Sequence, residues 1–158
     1  SNFGPFTGLG CTDTTTLADK VTCFSNRAPF LTMMAPGAII TATQMQGGFG
    51  GGWGTSASTP HVAGTIALML QRNPNLTQNE IKNILALTGK IITDHVTNIS
   101  YSRVDSYNAT RTATTGLGNY GCFTSNARLC RTDSDCSPDS GCAHMNGPFG
   151  ICSADIVC

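Results

Sequence analysis

The longest apolar stretch of the chain runs from Val62 to Leu70, and its residues are apolar nearly all round a helical projection. The stretch is too long for an ordinary strand, so it predicts a helix that is buried on every side. Gly64 costs this helix about 1 kcal/mol of propensity, which indicates that the position permits close packing.

A second, amphipathic helix is predicted after a turn at Asn73–Asn75. Thr77 and Glu80 have the spacing of a capping box, in which a hydroxyl and a carboxylate satisfy each other's backbone N–H groups. One face of the helix carries Ile81, Ile84, Leu85 and Thr88, and the other carries Glu80, Lys82 and Asn83. Gly89 is expected to end it.

The remaining pattern predicts short strands and irregular chain. The segment from Phe30 to Ala35 is interpreted as a short buried strand, and Ala38 to Ala42 as another. The glycine run Gly47–Gly54 is interpreted as a flexible loop, Ile91–Tyr107 as irregular chain with extended pieces, and Ala109–Tyr120 as a linker. Strands mixed with helices favour an α/β layer architecture.

The composition excludes several kinds of partner. The chain has 158 residues, 11% of them charged, and a formal net charge of zero, so it carries no electrostatic footprint for nucleic acid or anionic membrane. No apolar run approaches the roughly 20 residues that cross a bilayer, and we expect a soluble chain. No signal-like segment follows Ser1, which indicates a processed precursor or missing upstream sequence.

Eight cysteines are many for this length, and six of them lie in the last quarter of the chain. Their density favours disulfides and a secreted, extracellular protein, with a reduced cytosolic protein as the alternative. Cys11 and Cys23 bracket a polar segment that a local disulfide could close. The other disulfide candidates are Cys122, Cys130, Cys136, Cys142, Cys152 and Cys158.

The candidate chemistry centres on Ser56, where the glycine-rich loop meets the apolar helix. A phosphate-binding loop would need lysine at Thr55, and a nucleophile elbow would need glycine at Ser58. A helix N-cap is the alternative role for this serine. His61 is not its base, because five helical residues turn about 140° and rise roughly 7.5 Å. We interpret His61 as a satisfied, partly buried histidine.

The segment Gly54–Gly64, GTSASTPHVAG, closely resembles the serine-nucleophile motif of subtilisin-like serine peptidases. Segments similar to other motifs of that family follow the family's order: Phe24–Asn26, Leu31–Gly37, Asn73–Thr77 and Arg103–Tyr107. The resemblance spans about residues 22–110 and implies the C-terminal portion of a mainly parallel, three-layer α/β fold. It also implies serine endopeptidase activity on polypeptide substrates.

The resemblance assigns Ser56 as the nucleophile that forms the acyl-enzyme, with its backbone N–H as an oxyanion-hole donor. Gly54 and Thr55 would set the turn that presents it. Ala57 departs from the family, which usually has methionine there. The family's catalytic Asp and His and its oxyanion Asn lie far upstream, and their motifs are absent from the 55 residues before Ser56.

Neither His95 nor His144 has a context that supports a role as the base. We therefore expect the chain alone to be inactive and to need the missing N-terminal part of the catalytic domain as its partner. The rival hypothesis is a non-catalytic secreted binding protein built on a peptidase fragment. As an isolated fragment, the chain is expected to expose an unpaired sheet edge and apolar patches, and so to associate.

The chain divides into a partial peptidase domain (residues 1–112), a linker (113–121) and a cysteine-rich module (122–158). The module has few large apolar residues, so its disulfides must replace a core, and its six cysteines can pair in fifteen ways. Asp133, Asp135 and Asp139 suggest calcium, but the EF-hand pattern is not met. No cofactor is predicted, with a structural calcium ion as a weak alternative.

Overall fold

The computed structural model describes residues 5–8, 10–115, 129–130, 142–144 and 150–152. It contains the helices α1 (Thr55–Arg72), α2 (Gln78–Thr88) and α3 (Ser106–Thr115). The strands are β1 (Phe6–Gly8), β2 (Cys11–Asp13), β3 (Ile40–Thr43), β4 (Phe49–Gly52), β5 (Lys90–Thr93), β6 (Ser100–Arg103), β7 (Leu129–Cys130), β8 (Cys142–His144) and β9 (Gly150–Cys152). The predicted α/β character is confirmed.

The strands pair differently from the predicted parallel sheet. Within the described residues they form the antiparallel hairpins β1–β2, β3–β4 and β5–β6 and the antiparallel sheet β7-β9-β8. In the described part of the chain, the parallel contact is a single bridge between Met34 and Arg103. Parallel neighbours need a long crossover. The segment between Met34 and Arg103, which contains α1 and α2, is such a crossover, whereas short turns join the hairpin strands.

Helix α1 is covered on one side only. Thr65 and Met69 are its buried residues, whereas Leu68 is 48% exposed and Gly64 faces open space. The main core lies between α1, α2 and α3 and contains Met69, Ile84, Leu85, Val104, Ala109 and Ala113. The prediction of burial on every side is therefore wrong, because the residues that the structure describes supply packing partners for one face of α1.

Helix α2 begins with the predicted capping box. The Thr77 N–H donates to Glu80 Oε2 at 2.8 Å, and the Glu80 N–H donates to Thr77 Oγ1 at 3.3 Å. Asn83 is buried, contrary to its predicted place on the polar face, because both α3 and β6 pack against α2. Gly89 ends the helix as predicted. A Cβ there would lie 2.7 Å from the Arg103 carbonyl oxygen, so close approach to β6 requires the glycine.

Two of the segment predictions before α1 are wrong. Residues 30–35 do not form a strand, since Phe30 is 84% exposed and only Met34 joins a bridge. The glycine run contains β4, which pairs with β3 from Ile40 opposite Gly52 to Thr43 opposite Phe49. The strand β4 is stabilised by backbone hydrogen bonds to β3, and a run of glycines gives no sequence signal for such pairing.

The segment after α2 is more regular than predicted. Residues 90–103 form the β5–β6 hairpin, and α3 extends to Thr115, into the predicted linker 113–121. Asp105 accepts a hydrogen bond from the Asn108 N–H at 3.0 Å near the start of α3. Ala109, Thr112 and Ala113 have helical spacing and are buried, so small residues form this packed face. Most of the predicted module 122–158 lies outside the described residues.

The Cys11–Cys23 disulfide is present, as the sequence suggests. A loop of this length adds about 3 kcal/mol of stability in the chain-entropy account. Val21, two residues before Cys23, belongs to a second small core with Ile92 and Tyr101. The side chains of the other six cysteines lie outside the described part of the chain. Among the helices that the structure describes, none is long and apolar enough to cross a membrane.

Candidate active site

Gly54 makes the turn that leads into α1. Its φ of 125° lies in the region that favours glycine, and its N–H donates to the Gly37 carbonyl oxygen at 2.8 Å. Helix α1 begins at Thr55, so Ser56 is its second residue, and the Ser56 side chain is exposed. The predicted position at the helix start is confirmed. The alternative role as N-cap residue is wrong, because Gly54 occupies that position.

The start of α1 is suited to a negatively charged oxygen. The first N–H groups of a helix have no acceptor within the helix, and its dipole places positive partial charge at this end. No side chain caps α1 at Gly54. A Cβ built on Gly54 would lie 3.3 Å from Ser56 Oγ, so the hydroxyl stands close above the turn. The Ala57 N–H donates to the Gly54 carbonyl oxygen at 3.0 Å. A serine hydroxyl and a helix start without a side-chain cap therefore share one exposed corner.

The His61 ring forms a hydrogen bond within its own helix, α1, in agreement with the predicted satisfied histidine. Its Nδ1 lies 2.8 Å from the Ala57 carbonyl oxygen. A carbonyl only accepts, so Nδ1 carries the hydrogen and donates it. The ring is partly buried, and within the described residues no hydrogen bond joins it to Ser56.

The other two histidines bring no base to Ser56 in the described part of the chain. His95 lies in the β5–β6 turn, 52% exposed, with its Nδ1 3.9 Å from Asp94 Oδ1. His144 lies in β8, and its side chain is not described. The catalytic roles of Ser56, Thr55 and Gly54 stay predictions.

A cleft of about 600 Å³ adjoins the start of α1. Thr55 and Ser58 contribute to its wall, and Ser56 does not. Its larger apolar side chains are Leu17, Val21, Phe24, Leu31, Met33, Met34 and Ile92. An ion-pair cluster borders it, in which Asp19 lies 2.5 Å from Lys90 Nζ and 2.6 Å from Arg103 Nε.

The pKa of Asp19 lies below its usual value. The hydrogen bond from Lys90 is the main cause, burial opposes it, and the positive charge of Arg103 adds to the lowering. The carboxylate of Asp19 is thus ionised near neutral pH. These ion pairs connect Asp19, in the segment between β2 and β3, to both strands of the β5–β6 hairpin.

A buried ion pair between Arg27 and Asp94 was not found by the sequence analysis. Arg27 Nε lies 2.7 Å from Asp94 Oδ2, and Asp94 is fully buried. The other guanidinium nitrogens donate to carbonyl oxygens of the preceding segment, those of Thr22, Cys23 and Ser25. Burial raises the pKa of Asp94, but hydrogen bonds from Arg27, Thr97 and Val96 outweigh it, so the pKa lies below its usual value.

No group of three or more His, Cys, Asp or Glu residues in the described ranges could hold a metal ion. The aspartates that suggest calcium, Asp133, Asp135 and Asp139, lie outside those ranges.

Comparison with known proteins identifies what the chain is similar to. Residues 9–120 match the profile of the subtilase family. Alkaline serine exoprotease A of Vibrio alginolyticus is 35% identical over 97 residues, which are 58% of this chain and 18% of that protein. Subtilisin of Bacillus pumilus is 39% identical over 71 residues, 45% of this chain and 26% of that protein.

Among solved structures, fervidolysin from Fervidobacterium pennivorans, a keratinolytic enzyme related to subtilisin, matches with a TM-score of 0.51 and 22% identity. The match covers 81% of this chain and 22% of fervidolysin, and it concerns the fold alone. The chain thus spans about a quarter or less of the length of each of these proteins.

Proposed function

The chain belongs to the subtilase family, and on that premise we propose that it is the nucleophile-bearing part of a serine endopeptidase. One observation carries the proposal: Ser56 presents an exposed hydroxyl at the second residue of a helix whose first N–H groups have no side-chain cap. The substrate is a polypeptide, and the reaction needs no cofactor.

In the proposed reaction, Ser56 Oγ attacks the carbonyl carbon of a peptide bond and forms a tetrahedral intermediate. The Ser56 N–H donates to the negative oxygen, and the helix dipole favours the charge. The intermediate expels the amine and leaves an acyl-enzyme, which water hydrolyses. A base must accept the hydroxyl proton and return it to the amine. We propose that this base, its orienting Asp and a further oxyanion donor belong to the missing N-terminal part.

The exposed face of α1 supports this partner. Pro60, Ala63, Gly64, Ala67 and Leu68 are exposed at helical spacing, a small and mostly apolar surface without charge. Such a face is stabilised when another element covers it. The remainder of the catalytic domain, of which this chain spans a minor share, is the occupant that we propose. We also propose a secreted location and a separate disulfide module at residues 122–158, consistent with the Cys11–Cys23 disulfide.

Labelling with a fluorophosphonate probe tests the proposal. The isolated chain is expected to show no labelling, because Ser56 has no base to remove its proton. A fusion that places the upstream catalytic part of Bacillus pumilus subtilisin before this chain is expected to be labelled at Ser56. The labelled residue is identified by mass spectrometry of the digested protein.

Circular dichroism provides the control that the fusion is folded. Labelling of Ser56 in the isolated chain would contradict the need for an external base. A folded fusion that hydrolyses no peptide and takes no label would contradict the assignment of Ser56 and favour a non-catalytic protein.

A further inference from the structure

Two hydrogen bonds fasten the first turn of α1 to the loop formed by residues 35–37, here called the 35–37 loop. Ser58 Oγ donates to the Ala35 carbonyl oxygen at 3.0 Å, and the Gly54 N–H donates to the Gly37 carbonyl oxygen at 2.8 Å. These contacts lie two residues before and two residues after Ser56. Neither uses a group of Ser56, so its hydroxyl stays exposed.

The 35–37 loop is itself held by the sheet. The Met34 N–H donates to the Ser102 carbonyl oxygen, and the Val104 N–H donates to the Met34 carbonyl oxygen, both at 2.8 Å. Ser102 and Tyr101 in β6 are fully buried. The loop therefore connects the turn at Ser56 to one of the least exposed parts of the protein.

The contact between the loop and the helix leaves no spare room. A Cβ on Gly37 would lie 2.9 Å from the Gly54 carbonyl oxygen and closer still to Ser58 Oγ. A side chain at position 37 would therefore push the first turn of α1 away from the loop, and the Ser58 hydrogen bond holds the turn against it. The neighbouring hydroxyl of Thr59 acts differently, because it donates to the Thr55 carbonyl oxygen within the helix at 3.2 Å.

We propose that Ser58 is a positioning residue for the nucleophile, an inference that rests on the proposed function. Its hydroxyl fixes the first turn of α1, so that the hydroxyl and the N–H of Ser56 keep their directions when the substrate carbonyl arrives. Because the Ser58 hydroxyl donates to the Ala35 carbonyl oxygen, it acts through the turn and not on the reacting atoms. Misplacement of a reacting group by about 1 Å can reduce a rate by about a hundredfold. Loss of one hydrogen bond that positions this turn is therefore expected to lower kcat.

Hydrogen exchange in the full chain tests the structural half of the proposal. In Ser58→Ala, the Gly54 amide is expected to exchange about tenfold faster, because its acceptor loop is no longer tied to the helix. The amides of α2 are expected to be unchanged. Thr59→Ala is the matched control, since it removes a hydroxyl that stays within α1, and it should leave the Gly54 amide unchanged. Ser58→Thr, which keeps the hydroxyl, should restore protection.

Steady-state kinetics of the fusion test the catalytic half. Ser58→Ala is expected to lower kcat about tenfold with KM unchanged, Thr59→Ala to leave both unchanged, and Ser58→Thr to recover kcat. An unchanged Gly54 amide in Ser58→Ala, or an equal change in Thr59→Ala, would overturn the proposal. So would faster exchange with unchanged kcat. If the fusion with Ser58 intact is inactive, the proposed function fails, and the exchange result still decides whether Ser58 holds the turn.

Discussion

Replacing Ser56 by alanine in the fusion is expected to lower kcat for peptide hydrolysis by about 10⁴-fold or more, because no other group forms the acyl-enzyme. The stability of the protein should change by less than about 0.5 kcal/mol, since the Ser56 side chain is exposed. Peptide hydrolysis and urea unfolding of the same preparation measure the two effects. A large fall in kcat with an unchanged free energy of unfolding shows that the substitution removes the chemistry and not the fold.

Ser58→Ala is the matched control for this experiment. It makes the same chemical change two residues further along α1 and is expected to cost only about tenfold in kcat. A Ser56→Ala fusion that keeps a tenth or more of its activity would show that another group is the nucleophile.

Replacing Asp94 by alanine is expected to lower the free energy of unfolding by about 3 to 5 kcal/mol. The change leaves the guanidinium of Arg27, only 16% exposed, without its carboxylate. It also removes the acceptor of the Thr97 hydroxyl and the Val96 N–H. Urea unfolding followed by circular dichroism measures the loss. Lys90→Ala is the control, because the Lys90 side chain is 59% exposed in its pair with Asp19 and its loss should cost about 1 kcal/mol or less.

A double-mutant cycle shows whether the loss comes from the pair. Arg27→Ala together with Asp94→Ala is expected to cost little more than Asp94→Ala alone, because the second change removes the unpaired charge. Strictly additive losses would contradict a direct interaction between the two side chains.

Acid should weaken the protein through the same carboxylate. The pKa of Asp94 in the folded protein lies below its usual value near 3.8, so the unfolded chain binds its proton more readily. The stabilisation is therefore complete above about pH 5 and is lost as the pH falls below 4 toward the folded pKa. Urea midpoints measured from pH 7 to pH 3 should fall steeply for the natural chain and less for Asp94→Asn. Parallel curves would contradict this source of acid sensitivity.

Local signals made part of the structure predictable from the sequence. The capping box at Thr77 and Glu80, the helix start next to Ser56 and the Cys11–Cys23 disulfide each depend on residues close together in the chain. The match over residues 9–120 confirms the subtilase family, to which the sequence motifs pointed. The capping box, the helix start and the disulfide were predictable because residues close together in the sequence form them.

Features that depend on distant residues were not predictable. Arg27 and Asp94 are 67 residues apart, and neither neighbourhood marks it as part of a buried pair. The β4 strand owes its form to pairing with β3, since its glycines have little preference for extended structure. The apolar pattern of α1 indicates a helix that can be covered on both sides. In the part of the chain that the structure describes, only one side is covered.

The ion pair of Arg27 with Asp94 would keep the protein together after cleavage of the nearby backbone. Phe30 is 84% exposed, so the segment beside it is an accessible target for cleavage. A cut there would separate Arg27 from Asp94 along the chain, yet the ion pair and the hydrogen bond from the Tyr101 hydroxyl to the Ala28 carbonyl oxygen would still join the two pieces. A molecule nicked at this loop would thus migrate as two fragments under denaturing conditions and as one particle under native conditions.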